Sequence, residues 1–193
     1  MNKVVNFLKK WASGKIVVGF FIATMVVYLT MLNYTLPVVK SFAQGKTLFD
    51  LSPTGYSYES AVSLLEALGV EGRNVYLNLQ LPMDFIYPGL FAISYSLLLT
   101  WIFGKGYAVD SKIFYFTVIP FFAGFFDYLE NIGIIQMIKS YPNVPHELVN
   151  VSSTFTILKS VFTTIFFILL FVGIIKIIKN KRTSVNSNSL KTG

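Results

Sequence analysis

Asp127, Glu130 and Asn131 stand at i, i+3 and i+4 inside the apolar run Phe121 to Ile135. On a helix that spacing puts two carboxylates and an amide on one face. An ionisable side chain in hydrocarbon costs about 2.5–3.5 kcal/mol even on a lenient insertion scale, so such residues turn toward a protein interior or a wet cavity. Other apolar stretches also carry a charge: Asp84 near the start of one, Lys159 inside another. Three carboxylates against one ammonium leave a formal −2 in low dielectric. Protonation, a cation or a cationic ligand has to resolve that excess.

Three kinds of chemistry fit these residue types. The first is an acidic intramembrane pocket facing outward, which binds or senses a cation, an amine or a lipid headgroup through Asp84, Tyr87, Asp127, Glu130, Asn131, Thr156 and Lys159. Ser152, Thr163 and Tyr95 are further hydroxyls on the same faces. The second is a membrane-embedded enzyme acting on a lipid or small apolar substrate. There Asp127 and Glu130 divide acid and base roles while Lys159 stabilises negative charge. The third is a structural or accessory subunit in which Lys159 bridges to Asp127 or Glu130 and the charges only hold helices together.

Several classes drop out. The chain has no cysteine, so disulfides, thiolate zinc sites and cysteine nucleophiles are absent. It carries no His-Glu-x-x-His, Gly-x-Ser-x-Gly or phosphate-binding glycine loop, and its single histidine, His146, sits in a proline-flanked stretch read as an exposed loop. No metal site is expected and no cofactor is named by the sequence. The net charge of +7 does not indicate nucleic acid, because most of the lysines flank apolar spans.

The elements that must position the charges are transmembrane helices. With 54% hydrophobic and 13% charged residues, against about 25% charged in soluble domains, the chain reads as an all-α membrane protein. The expected architecture is a four-transmembrane-helix bundle over 1–178, with spans at about 16–32, 83–103, 113–138 and 152–178. A basic, amphipathic lead-in precedes the first span, which is read as uncleaved because its apolar run exceeds that of a signal peptide. The second and third spans contain Pro88 and Pro120, and Gly124 and Gly133 permit close packing on the third.

Residues 33–82 form a roughly 50-residue extracytoplasmic loop, in which 58–68 is an amphipathic helix capped by Ser57 and stopped by Gly69. Tyr76, Gln80 and Asp84 would line up if that region stayed helical, but Pro82 is read as the start of the second span. Residues 179–193 read as a solvated cytoplasmic tail. No internal repeat is recognised, which with four spans disfavours secondary transport.

Orientation follows from lysine and arginine placement. With both termini cytoplasmic, Lys3, Lys9, Lys10, Lys15, Lys105, Lys112, Lys176, Lys179, Lys181, Arg182 and Lys191 lie inside, against Lys40, Lys46, Arg73 and Lys139 outside. That bias predicts a multi-pass plasma-membrane protein with N-terminus and C-terminus in the cytoplasm. The expected partners are the lipid bilayer and a cationic or lipid ligand, with a homo-oligomer or a membrane partner left open.

Overall fold

The computed structural model describes residues 3–189, and the backbone alone over 184–189. The elements are helical, with no strand among the described residues. A short helix α1 (Lys3–Trp11) leads into α2 (Gly14–Phe42), α3 (Tyr58–Gly106), α4 (Lys112–Ser140) and α5 (His146–Ser189). Among the described residues, four helices are long and apolar enough to cross a membrane: α2, α3, α4 and α5 as far as Thr183. The structure is therefore that of a multi-pass membrane protein.

α1 is amphipathic. It buries Val5 and Leu8 and exposes Lys3 and Lys10, while the Lys9 ammonium lies 3.6 Å from the ring centroid of Phe114 at the start of α4.

Several boundaries differ from the sequence reading. The helix of the first span does not stop at Leu32, and that of the second reaches back from Met83 to Val70, where non-helical Gly69 separates it from the expected helix over 58–68; of the 33–82 connection only 43–57 lies outside the long helices. Asn33, Pro37, Asn78 and Pro82 look like helix breakers, yet both helices run through them. Each does so with a π turn, Met31–Thr35 before Pro37 and Tyr76–Gln80 before Pro82. A proline ring clashes with the carbonyl four residues back and offers no N–H. Widening the preceding turn moves that carbonyl away, and the Leu36 and Leu81 N–H groups reach back five residues to Met31 and Tyr76.

The two turns share a sequence pattern, Leu32-Asn33-Tyr34-Thr35-Leu36-Pro37 and Leu77-Asn78-Leu79-Gln80-Leu81-Pro82. The sequence reading missed this repeat. The turns also touch, the buried Thr35 hydroxyl donating to the Gln80 side chain.

Ser57 caps α3, accepting from the Ser60 N–H at 3.2 Å, and Gly69 interrupts the helix in the left-handed region at φ 60°. Within α4 the first turns, Lys112–Val118, are 3-10, and the α-helix starts at Ile119. Pro120 thus lies in the first turn of the α-helix, where its missing N–H does no harm, rather than inside it. α5 begins at His146 rather than Ser152, and its ring stacks on Tyr58 at 4.1 Å. The same helix continues past Ile178 to Ser189, so 179–189 is helical rather than an irregular tail; 190–193 lie outside the described residues, as do Met1 and Asn2 of the lead-in.

α4 packs most extensively on α5 and next on α3. Small residues set those distances: a Cβ on Gly133 would overlap Ser152 of α5, and one on Gly124 would come within 2.7 Å of the Pro88 carbonyl of α3. Gly133→Val is therefore expected to destabilise by about 1–3 kcal/mol through overpacking, read as a lowered melting temperature in detergent. An unchanged melting temperature would show that the two helices are free to move apart.

Candidate functional site

Asp127, Glu130 and Asn131 share the inward face of α4, as their spacing requires, and all three are buried. Lys159 reaches them from α5. Its ammonium lies 3.1 Å from Asp127 Oδ1 and also pairs with Glu130 Oε2. One turn earlier on α5, the Thr156 hydroxyl donates to Glu130 Oε1 at 2.8 Å. Glu130 is fully buried between the two helices, held by an ammonium and a hydroxyl.

Asp84 enters from α3, 4% exposed. Its backbone carbonyl accepts from the Asn131 amide at 2.9 Å, which ties α3 to α4 beside the charges. Its side-chain Oδ2 is buried with no donor among the described residues.

A carboxylate that the sequence reading missed completes the group. Asp50 sits in the 3-10 turn Phe49–Leu51 of the 43–57 connection, where Leu48 and Phe49 are buried and carry the turn down onto the bundle. Its Oδ2 accepts from the buried Tyr76 hydroxyl of α3, and its Oδ1 is buried without a donor. The Asp50 and Asp84 side chains are neighbours in the lining of the same cavity. The signal for Asp50 was the apolar pair Leu48-Phe49 directly before it in an otherwise polar stretch, since such a pair tends to be buried.

Tyr56 pins the same connection to α5. Its N–H donates to Ser153 Oγ and its hydroxyl meets Ser152 Oγ, each at 2.8 Å. Burial pushes the Tyr56 hydroxyl above its ordinary range, so it stays protonated and serves as a neutral partner.

A cavity of about 390 Å³ lies at this junction, lined by Asp50, Asp84, Asp127 and Lys159 together with Tyr87 and Thr163. Glu130, Asn131, Thr156 and Ser152 stand behind that lining and hold it in place. Tyr95 is not in that lining; its ring is stacked 4.7 Å from Phe166 and lies edge-on to Phe91 at 4.6 Å. Four carboxylates (Asp50, Asp84, Asp127, Glu130) against one ammonium (Lys159) leave a formal −3, one unit beyond the excess expected from sequence. Among the described residues, no three side chains of the histidine, cysteine, aspartate or glutamate type converge as metal ligands do. No family model matches the chain, and no curated protein and no solved structure shows significant similarity to it.

Proposed function

We propose that this membrane protein binds a cationic molecule carrying an ammonium group in the acidic cavity, and that the cavity opens on the extracytoplasmic side of a plasma membrane with both termini cytoplasmic. The orientation is supported by the lysine and arginine bias along the sequence.

One observation carries the ligand class. Lys159 is engaged by Asp127 and Glu130, which leaves Asp84 and Asp50 facing each other with one buried oxygen apiece that no donor satisfies. Two carboxyl groups so placed either share a proton or take a positive charge between or beside them, and the ligand reading is the second of these. An ammonium supplies that charge together with up to three N–H donors. It suits this site better than a divalent ion, because the metal-ligand geometry is lacking among the described residues.

Scanning fluorimetry of the purified protein against primary amines, divalent ions and lipids tests the reading. At a hundredfold excess over its dissociation constant an amine stabilises by about 2.7 kcal/mol, which for a chain of this size raises the melting temperature by roughly 5–10 °C. Asp84→Asn should abolish the response. A flat response to every amine in the wild type removes the proposal.

A second reading is favoured by the closed arrangement of Lys159, Asp127, Glu130 and Thr156 across the α4–α5 contact. In it the charges are purely structural, and then no ligand shifts the melting temperature although Lys159 substitutions do. As an enzyme, the protein would have Asp127 and Glu130 already committed to Lys159, leaving Asp50 and Asp84 as the pair able to exchange a proton.

A further inference from the structure

The walls of the cavity are not equally closed. α2 packs on α3, and α5 packs on α4 and α3, while α2 and α5 share no extended contact. Tyr28, Leu32 and Leu36 of α2 and Ser160, Thr164 and Phe167 of α5 line the cavity along these two helices, and Leu51 and Pro53 of the 43–57 connection line it above them. Tyr28, Leu32 and Phe167 line the cavity and are also 39%, 44% and 55% exposed, so the same side chains face the cavity and the outside of the bundle. Both flanks lie within the membrane-spanning stretches Gly14–Phe42 and His146–Thr183, where the outside is lipid. Each flank runs along about 12 Å of helix, from residue 28 to 36 and from 159 to 167. Its inner end is charged, at Asp84, Asp127 and Lys159, while its outer end carries Tyr28, Leu32 and Phe167 beside Thr164, whose hydroxyl is turned back onto the Ser160 carbonyl at 2.8 Å.

Resting on the ammonium-binding reading above, we infer that the ligand is a membrane-dissolved amphiphile, a long-chain primary amine without a phosphate, which reaches Asp84 and Asp50 sideways from the bilayer through the gap between α2 and α5. Two observations select this occupant. The gap presents Leu32, Phe167 and Tyr28 at the lipid side and leads to a buried Asp84 carboxyl group whose Oδ2 lacks a donor, which is the polarity of an alkyl chain ending in an ammonium. The cluster is also formally −3 with its one ammonium already paired, so a phosphate would enter among like charges. That disfavours the aminophospholipids, whose headgroup offers the same ammonium next to a phosphate. Tyr28, stacked 5.7 Å from Tyr87, stands at the threshold, and Tyr87 lines the cavity behind it.

The test uses the full chain in phosphatidylcholine nanodiscs, with dodecylamine, butylamine and added phosphatidylethanolamine as probes and the melting temperature as readout. Dodecylamine should raise it at total concentrations where butylamine and phosphatidylethanolamine do not. Leu32→Trp and Thr164→Trp narrow the gap from opposite walls at exposed positions. Combined, they should raise the half-saturating dodecylamine concentration about tenfold or more, leaving the melting temperature without ligand unchanged. A dodecylamine analogue with a photoreactive tail provides a measurement that needs no variant: in the wild type it should label α2 around 28–36 and α5 around 160–167, and excess dodecylamine should suppress the label.

An undiminished dodecylamine response in the double variant, or labelling confined to other surfaces, overturns the lateral route and leaves the ammonium reading standing. Stabilisation by phosphatidylethanolamine equal to that by dodecylamine overturns the exclusion of phosphate. If butylamine and dodecylamine act at equal concentrations, the ammonium reading survives and the lipid-borne ligand does not. If neither amine acts on the wild type, both fall together.

Discussion

Lys159→Met is expected to cost about 3–5 kcal/mol, because it strands two buried carboxylates that share one ammonium. For a chain of this size that is roughly 6–20 °C in melting temperature. Because the lysine side chain keeps 19% of its surface exposed, solvent relieves part of the penalty and the lower part of that range is expected. The informative comparison is with repair. Pairing Lys159→Met with Asp127→Leu removes one stranded charge but not the other, since Glu130 is fully buried and bonded to the same ammonium. Recovery should therefore be partial with Asp127→Leu and nearly complete only when Glu130→Gln is added, the amide still accepting from Thr156. Full recovery in the double variant would show that Glu130 does not depend on Lys159. An unaffected single variant would remove the ion pairs altogether.

The reason this triad could be read from sequence is that hydrocarbon makes every ionisable residue conspicuous. Asp127 and Glu130 one helical turn apart, and Lys159 about 10 Å into the next span, leave few arrangements in a small bundle. Asp50 had no such background to stand out against. A carboxylate in a polar connection is ordinarily solvated, and only the burial of Leu48 and Phe49 carries it down to Asp84.

The helix ends were obscured for a related reason. Asn and Pro mark turns where backbone groups can turn to water. In α2 and α3 the chain keeps its hydrogen bonds internal by widening one turn before each proline, and the repeated Leu-Asn-x-x-Leu-Pro was visible but reads as punctuation unless the π geometry is in view. Tyr95 shows the opposite failure. Its hydroxyl suggested a place in the pocket, whereas its ring area governs, and it packs with Phe91 and Phe166.

Asp50→Asn should separate binding from folding. The amide oxygen of asparagine can still accept from the buried Tyr76 hydroxyl, so the main anchor of the 43–57 connection at this point is kept and stability should change by no more than about 1 kcal/mol. What the substitution removes is one of the two charges facing the ligand's ammonium. Truncating one partner of a buried, hydrogen-bonded charge pair costs about 2–5 kcal/mol in affinity, which is a loss of roughly 30-fold or more for an amine titrated against the purified protein. Asp50→Ala should instead lose both, because Tyr76 is fully buried and its hydroxyl would be left without an acceptor, at about 1–3 kcal/mol. The sharp outcome is therefore a pair of variants with similar binding defects and different melting temperatures. If Asp50→Asn binds amines as the wild type does, the connection is only a cover over the bundle, and the ammonium has to be held by Asp84 and Asp127 without it.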